Sequence, residues 1–586
     1  MNPNRSTASW NSVRTNVHGT ASPTQGIGWL SLNGASEWAA ERYRRHAMLT
    51  DTQTDLLSAA RAAHQRWDWR ASYEAFDLAS RYAALRTDDL EAFAFAAWRL
   101  GHVKEASRAA ERVFADLTRT DPVAAAMKAN ELALAWLVRG DVNIGQGWMS
   151  RARRLLAAAE ESPAHGYLVY LDAVVAALGQ DLDALGGHVR ALREIAVRLD
   201  VPALAALGLI AAGLEAILDR RTADGYALID EAILPLVADQ VPIEWAGDIY
   251  CVVLHHTHKL ADLPRMRSWT QSMEQWCGLS GSVPYGGVCD VHRLQVQVAT
   301  DDYRLLQDRL ELASRALSEV NGWAAAEGYY QLGEVRRLMG DFDGAATAFD
   351  QARALGMDPQ PGAALLACRR GDSAGAWTAI RLALAGGDRL ARVRLLRAAV
   401  EIALGRDALD DAERYCSELE GDAQAFGTPG FLAWAAHARG AVEVRRGHFD
   451  AAVTALQKAL REYRIQQSRY ETAEVYEWLA LARRGIGDHD AAAADAATAD
   501  AIYTQLGVEP AGICGTPTPG GLTRRELEVL SRIAGGATNR QVAQQLHLSD
   551  KTVGRHLANI YAKLGVSTRT AAATWAHQHG ALTDRT

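Results

Sequence analysis

Alanine and leucine recur every third or fourth position along most of the chain, and polar residues fill the positions between them. That spacing puts the apolar side chains on one stripe of an α-helix. Prolines are few and β-branched runs are short, so strand has little support. The pattern predicts helix after helix over 51–506. It also repeats. "GDFDGAATAFDQA" from Gly340, "GHFDAAVTALQKA" from Gly447 and "GDHDAAAADAATA" from Gly487 align without gaps. Each opens on a turn residue, with a small residue at the fifth position after it, an apolar one at the ninth and alanine at the twelfth. Those three share one helical face, and the small residue lets a partner helix come close. Weaker copies start at Trp67, Gly101, Gly140 and Gly371, and fainter ones near Gly179, Arg220, Ala261, Asp301 and Asp407. Successive starts are mostly 39–41 residues apart, which suits two antiparallel helices per unit. Stacked units bury a continuous core, so the expected body is a helical solenoid.

The periodicity stops after Leu506. "GVEPAGICGTPTPGG" offers little to bury and reads as a linker over 507–521. From Leu522 the helical pattern resumes and punctuates into four helices. Thr523 with Glu526 makes a capping box, and Gly535–Gly536 stops that helix. Thr538 with Gln541 caps a short second helix ending at Leu546, followed by a tight turn at His547 and Leu548. Ser549 caps the third helix; Ser567 or Thr568 opens a fourth, closed by Gly580. On the third helix Val553, Leu557, Ile560 and Leu564 fall in one arc, with Lys551, Arg555, Ala558 and Ala562 opposite and Gly554 and Asn559 on the flanks. A short helix, a tight turn and an amphipathic helix with a cationic outer face make a helix-turn-helix, whose second helix enters the major groove.

Charge sharpens this picture. The chain of 586 residues has a formal net charge of −8. Residues 521–580 carry eight Arg or Lys against three acids, so an acidic body bears a basic tip suited to a polyanion. Residues 1–50 read as a polar, unstructured tail without the apolar core of a signal peptide, and no run is long and apolar enough to span a membrane. The six cysteines are scattered without a CxxC pair, which fits reduced thiols in a cytoplasm.

Candidate chemistry is sparse. No Gly-Lys dipeptide occurs, so a nucleotide-binding phosphate loop is excluded, and no strand-helix alternation suggests a phosphoacceptor domain. Cys251, His255 and His258 share a helical face, with Cys289 and His292 downstream. That set could ligate a transition metal, or it could be a histidine-rich packing patch; packing is the expectation. No catalytic constellation stands out, and neither enzymatic activity nor a cofactor or metal is expected.

The stretches "LTRRELEVL" and "GATNRQVAQQLHLSDKTV", with His556, Asn559–Ile560 and "KLGV" at Lys563–Val566, resemble the LuxR/NarL/FixJ type of DNA-binding domain. The Gly-Asp-aromatic repeats resemble tetratricopeptide repeats with a longer period. The whole layout, including "AGDIYCVVLHHTHKLADLPRMRSW" from Ala246, is similar to large actinobacterial LuxR-type regulators, here without their ATPase domain. The expected architecture is all-α: a tail (1–50), tetratricopeptide-like repeats (51–506), a linker (507–521) and a four-helix LuxR-type module (522–586). DNA-facing candidates are Asn539, Arg540, Ser549, Lys551, Thr552, Gly554, Arg555, Ala558, Asn559 and Lys563. In the family the position after "TV" is usually a lysine that touches DNA, and here it is Gly554. Either Arg555 takes over the reading while Gly554 lets the backbone sit close, or the position has drifted. The resemblance implies dimerisation through the fourth helix, here Thr570, Ala571, Thr574 and Trp575, and binding of double-stranded promoter DNA at an inverted repeat. It further implies a cytoplasmic, nucleoid-bound transcription regulator that acts as a homodimer. RNA polymerase and a small-molecule, peptide or protein effector at the repeats are candidate partners. The alternative is a repeat scaffold whose C-terminal module binds proteins.

Overall fold

A computed structural model describes residues 52–280, 283–386, 389–508, 522, 524–546 and 549–578. The tail over 1–50, most of the 507–521 linker, Thr523, the His547–Leu548 turn and Gly580 lie outside the described residues. Among those described, the chain forms 28 α-helices and no strand. The fold is an all-α, tetratricopeptide-like stack of helix pairs followed by a four-helix module.

The repeat template has a local physical cause. Its turn residues sit in the left-handed region: Gly101, Gly140, Gly340, Gly371, Gly447 and Gly487 all have positive φ. So do the non-glycine starts Trp67, Arg220, Ala261 and Asp407, and Gln180 beside the expected Gly179. A left-handed residue ends one helix, because the next amide turns back to the preceding carbonyls. The aspartate that often follows then starts the next helix. Asp341, Asp372 and Asp488 each accept a hydrogen bond from the amide three residues on, at 3.1, 2.8 and 3.1 Å. Gly-Asp is thus a stop and a start joined together. In the second helices, Ala345, Ala452 and Ala492 are buried at the fifth position, as are Ala352, Ala459 and Ala499 at the twelfth. At the ninth, Leu456 presses on Gly440 of the preceding helix, where a Cβ would lie 2.4 Å from it. Burying these faces drives the pairs together.

Successive pairs curl into a superhelix whose turns touch. Leu263 N donates to Gln466 Oε1 at 3.0 Å across 203 residues. Thr428 Oγ1 donates to the Leu260 carbonyl at 2.8 Å across 168 residues, and Arg469 N to Ala299 O at 2.9 Å. One continuous apolar core runs from Ala126 to Ala482, and a second from Leu294 to Val508. No described helix is long and apolar enough to cross a membrane. Cys251, Cys277, Cys289 and Cys416 are thiols, but Cys368 is disulfide-bonded, which departs from the all-thiol expectation.

Candidate nucleic-acid interface

Four helices, Arg524–Ala534, Asn539–Gln545, Asp550–Leu564 and Arg569–Gln578, close on a core of their own. Val529, Leu530 and Ile533 of the first meet Val542 of the second, Val553, Leu557 and Ile560 of the third, and Ala572 and Ala576 of the fourth. Leu564, at the helix end, is half-buried. Local signals set the boundaries. Gly536 at φ +86° stops the first helix, and Ala537 N donates to Arg532 O at 3.0 Å. Thr538 and Gln541 form the reciprocal capping box, with the Thr538 amide 2.8 Å from Gln541 Oε1. Ser549 Oγ accepts from the Thr552 amide at 3.1 Å and starts the third helix. Thr568, rather than Ser567, caps the fourth through Ala571 N at 3.2 Å.

With one face of the third helix committed to the core, the opposite face is fixed outward. Lys551, Gly554, Arg555, Ala558 and Asn559 are all exposed there. Arg540 is exposed near the start of the second helix. Among the described residues, Lys551, Arg555 and Arg540 have no ion-pair partner, so their charge is available to an external anion. Ser549 is exposed as the cap, while Thr552 is half-buried with its hydroxyl 2.7 Å from Ser549 Oγ. At Gly554 an added Cβ would meet nothing within 4 Å. The side chain is therefore missing from open space, and packing within the module does not require glycine here.

Two candidates are tied into the fold. Lys563 Nζ lies 2.6 Å from Glu526 Oε2, and Glu526 is buried on the first helix. Asn539 Oδ1 accepts from Arg569 Nη1 at 2.8 Å, while Arg569 Nη2 also donates to the Ala537 carbonyl. These clamps hold the third helix to the first and the fourth to the second. Sequence reasoning missed both, yet one left a trace: Glu526 is an acid on the apolar stripe that carries Val529, Leu530 and Ile533. On the last helix Thr570 and Thr574 are exposed, Ala571 is half-buried, and Trp575 packs against the core.

The Cys251, His255 and His258 set does not converge on a metal site. Cys251 lines one cavity and His258 another. The His255 ring packs 4.1 Å from that of Trp323, and its Nδ1 is 3.6 Å from Glu327. His292 Nδ1 meets Gln295 at 3.0 Å, and Cys289 Sγ sits 3.5 Å from Cys277 Sγ. Burial holds His255 and His258 well below the usual histidine range and brings His292 down to about 4, so all three are neutral at pH 7. Among the described residues no group of three His, Cys, Asp or Glu is placed to hold a metal ion.

Residues 521–576 match a family model described as "Bacterial regulatory proteins, luxR family". Over 58 residues the chain is 50% identical to the transcriptional regulatory protein LiaR of Bacillus subtilis (strain 168), covering 10% of this chain and 28% of that protein. Over 61 residues it is 44% identical to the response regulator protein VraR of Staphylococcus aureus (strain Mu3 / ATCC 700698), covering 10% and 29%. The chain thus spans less than a third of the length of these curated relatives. Among solved structures, the APC/C hetero-tetramer Cut9-Hcn1 aligns over 89% of this chain and 96% of that chain at 14% identity with a TM-score of 0.41, too loose for any equivalence of residues.

Proposed function

We propose that this chain is a sequence-specific DNA-binding transcription regulator, working in the cytoplasm on the nucleoid. The luxR-family module at its C-terminus inserts the helix Asp550–Leu564 into the major groove of duplex DNA. The observation that carries this reading is the exposed face of that helix. Lys551 and Arg555 stand unpaired among the described residues, directly opposite the buried Val553, Leu557 and Ile560. Arg555 reads a base edge, because its fork matches the O6/N7 pair of guanine. Arg540, Lys551, Thr552 and the Asn539 amide meet phosphates. Thr570, Ala571, Thr574 and Trp575 pair the module with a second copy on an inverted repeat. The acidic repeat body senses an effector or docks a partner and sets how two modules are presented.

Binding of Arg555→Ala and Gly554→Lys chains to duplexes selected from a random library tests the assignment. Arg555→Ala should lose about 1–3 kcal/mol of discrimination at one base pair. Gly554→Lys has room for its side chain. It should strengthen binding to all sequences and steepen the salt dependence by about one phosphate contact. If Arg555→Ala keeps the sequence preference intact, Arg555 is not the reader. Sequence-blind, salt-insensitive binding by the unaltered chain would leave a protein-binding scaffold instead.

A further inference from the structure

Helices Thr87–Arg99, Pro122–Val138, Ile243–Lys259 and Val283–Gln297 together line a cavity of about 260 Å3 in the repeat body. Phe95, Trp98, Trp136 and Tyr285 give it aromatic walls, the Trp98 ring set edge-on to Tyr285 at 5.5 Å. Four carboxylates line the same space: Glu91, Glu131, Glu244 and Asp248. Lys128 answers the first two, with Nζ 2.8 Å from Glu91 and 2.5 Å from Glu131. Glu244 and Asp248 lie one helical turn apart on Ile243–Lys259, and neither forms an ion pair with another described residue.

Asp248 is 7% exposed and accepts one hydrogen bond, from Tyr170 Oη at 2.7 Å. Protein surrounds Glu244, yet its side chain stays reachable from the cavity. Burial first, then the Glu131 charge, pushes Glu244 up to about 7. Burial pushes Asp248 up to about 6, against the pull of the Tyr170 hydrogen bond. A second cavity, around Arg397, shows the contrast. There arginines and glutamates answer one another, Arg337 with Glu334 at 2.8 Å and Arg397 with Glu474 at 3.1 Å. Two acids without a direct ion pair in an aromatic-walled space, Glu244 with only the more distant charges of Lys128 and Arg99 and Asp248 with only the Tyr170 hydroxyl, are costly to ionise, and a cation supplied from outside lowers that cost. Aromatic faces also attract cations, as the Arg139 guanidinium already shows 4.4 Å from the Trp136 ring centroid.

We infer that this cavity binds a small hydrophobic organic cation, an aryl- or alkylammonium, with its nitrogen at Glu244 and Asp248 and its apolar body against Trp98, Trp136 and Tyr285. An anion would meet four acids against the two cations Lys128 and Arg139 on the lining, and a neutral molecule would leave Glu244 and Asp248 without an ion-pair partner. The site deepens the effector role proposed above and rests on that reading only for its consequence at DNA.

The pH dependence has a definite sign. Glu244 is faced by Glu131 and Lys128 from Pro122–Val138, Arg99 from Thr87–Arg99, Tyr167 from Pro163–Leu178 and Tyr285 from Val283–Gln297. Asp248 is faced by Tyr170, Cys251 and Tyr285. The tyrosines and Cys251 are pushed upward and stay neutral. Glu244 and Asp248 are therefore the groups in the cavity whose charge changes as pH rises through 6 and 7. A cation binds their ionised forms, so affinity increases with pH and binding releases protons.

Calorimetric titration of the full chain with 2-phenylethylammonium and tryptammonium, beside neutral 2-phenylethanol and anionic 3-phenylpropanoate, is the test. The ammonium probes should bind at least ~10-fold tighter than the other two, and ~10-fold tighter at pH 7.5 than at 5.5. Glu244→Gln, nearly isosteric, should cut ammonium affinity ~10-fold and flatten the pH dependence. Trp98→Ala should weaken the ammonium probes and their neutral analogue together. No binding of either ammonium, equal binding of the alcohol, or an unchanged pH profile in Glu244→Gln overturns the site. DNA affinity measured with and without probe separates the two readings. Ammonium binding with DNA affinity unmoved keeps the site and removes its effector role, whereas loss of sequence-specific DNA binding sinks the regulator reading alone.

Discussion

Lys563 shows how one side chain can satisfy the sequence pattern and still do something else. It lies in the basic stretch of the third helix, where charge alone suggests a phosphate contact. Its ammonium instead lies 2.6 Å from the buried Glu526 carboxylate. Truncating it removes a cation 2.6 Å from that buried carboxylate, while the partial exposure of Lys563 lets water screen part of the loss. Lys563→Ala should therefore destabilise the module by on the order of 2 kcal/mol. Amide exchange across 524–564 should accelerate roughly 30-fold if local opening controls it, with the repeats unchanged. An unchanged exchange rate would mean that the pair contributes nothing net. Gly554 is legible in the opposite sense. The sequence marked it as anomalous, and the open space around it shows that the module's own packing does not demand it.

At the scale of elements, the turn between repeats explains the template. Gly487 at φ +94° and Gln180 at φ +57° occupy equivalent stops, one with a residue at ease there and one without. Gly487→Ala should cost about 1 kcal/mol and speed exchange in the helices on either side, His489–Leu506 included. Gln180→Gly should act in the other direction, stabilising by only a few tenths of a kcal/mol and slowing exchange slightly, because relief of the left-handed strain is partly offset by the larger chain entropy glycine loses on ordering. If both substitutions were neutral, the left-handed stop would not be what terminates these helices. Helix existence, the Gly-Asp boundary and the buried faces at Ala345, Ala452 and Ala492 were all readable from sequence, since each depends on residues within a turn or two. The stop at Gln180 was read one residue early, because without a glycine only the backbone dihedral marks it.

For the whole molecule, the contact between superhelical turns is what closes the body. A Cβ on Gly430 would lie 2.1 Å from the Ala261 carbonyl oxygen, a clash with backbone that no rotamer relieves. Gly430→Val should wedge the turns apart and raise the radius of gyration in small-angle scattering. Gly421→Val, where a Cβ meets nothing within 4 Å, should leave it unchanged. Equal scattering from both variants would show that the turns do not rest on each other here. The acid pair at Glu244 and Asp248 also belongs to this scale, because the cavity around it draws its walls from residues as far apart as Phe95 and Tyr285.

The sequence alone determined that this chain is helical, where the Gly-Asp boundaries between repeats fall, which face of the template helices and of the helix Asp550–Leu564 is buried, and that the stretch matching the luxR-family model, 521–576, is a basic unit set apart from the repeats. Those features follow from hydrogen bonds and side-chain spacing within a few residues, which a linear string records. The tertiary structure decided that Leu263 meets Gln466, that Lys563 closes on Glu526, and that Trp98 and Tyr285 wall a cavity beside two unpaired acids. Such contacts come from small rotations accumulated repeat by repeat, or from the packing of a whole module, and no local pattern encodes their sum.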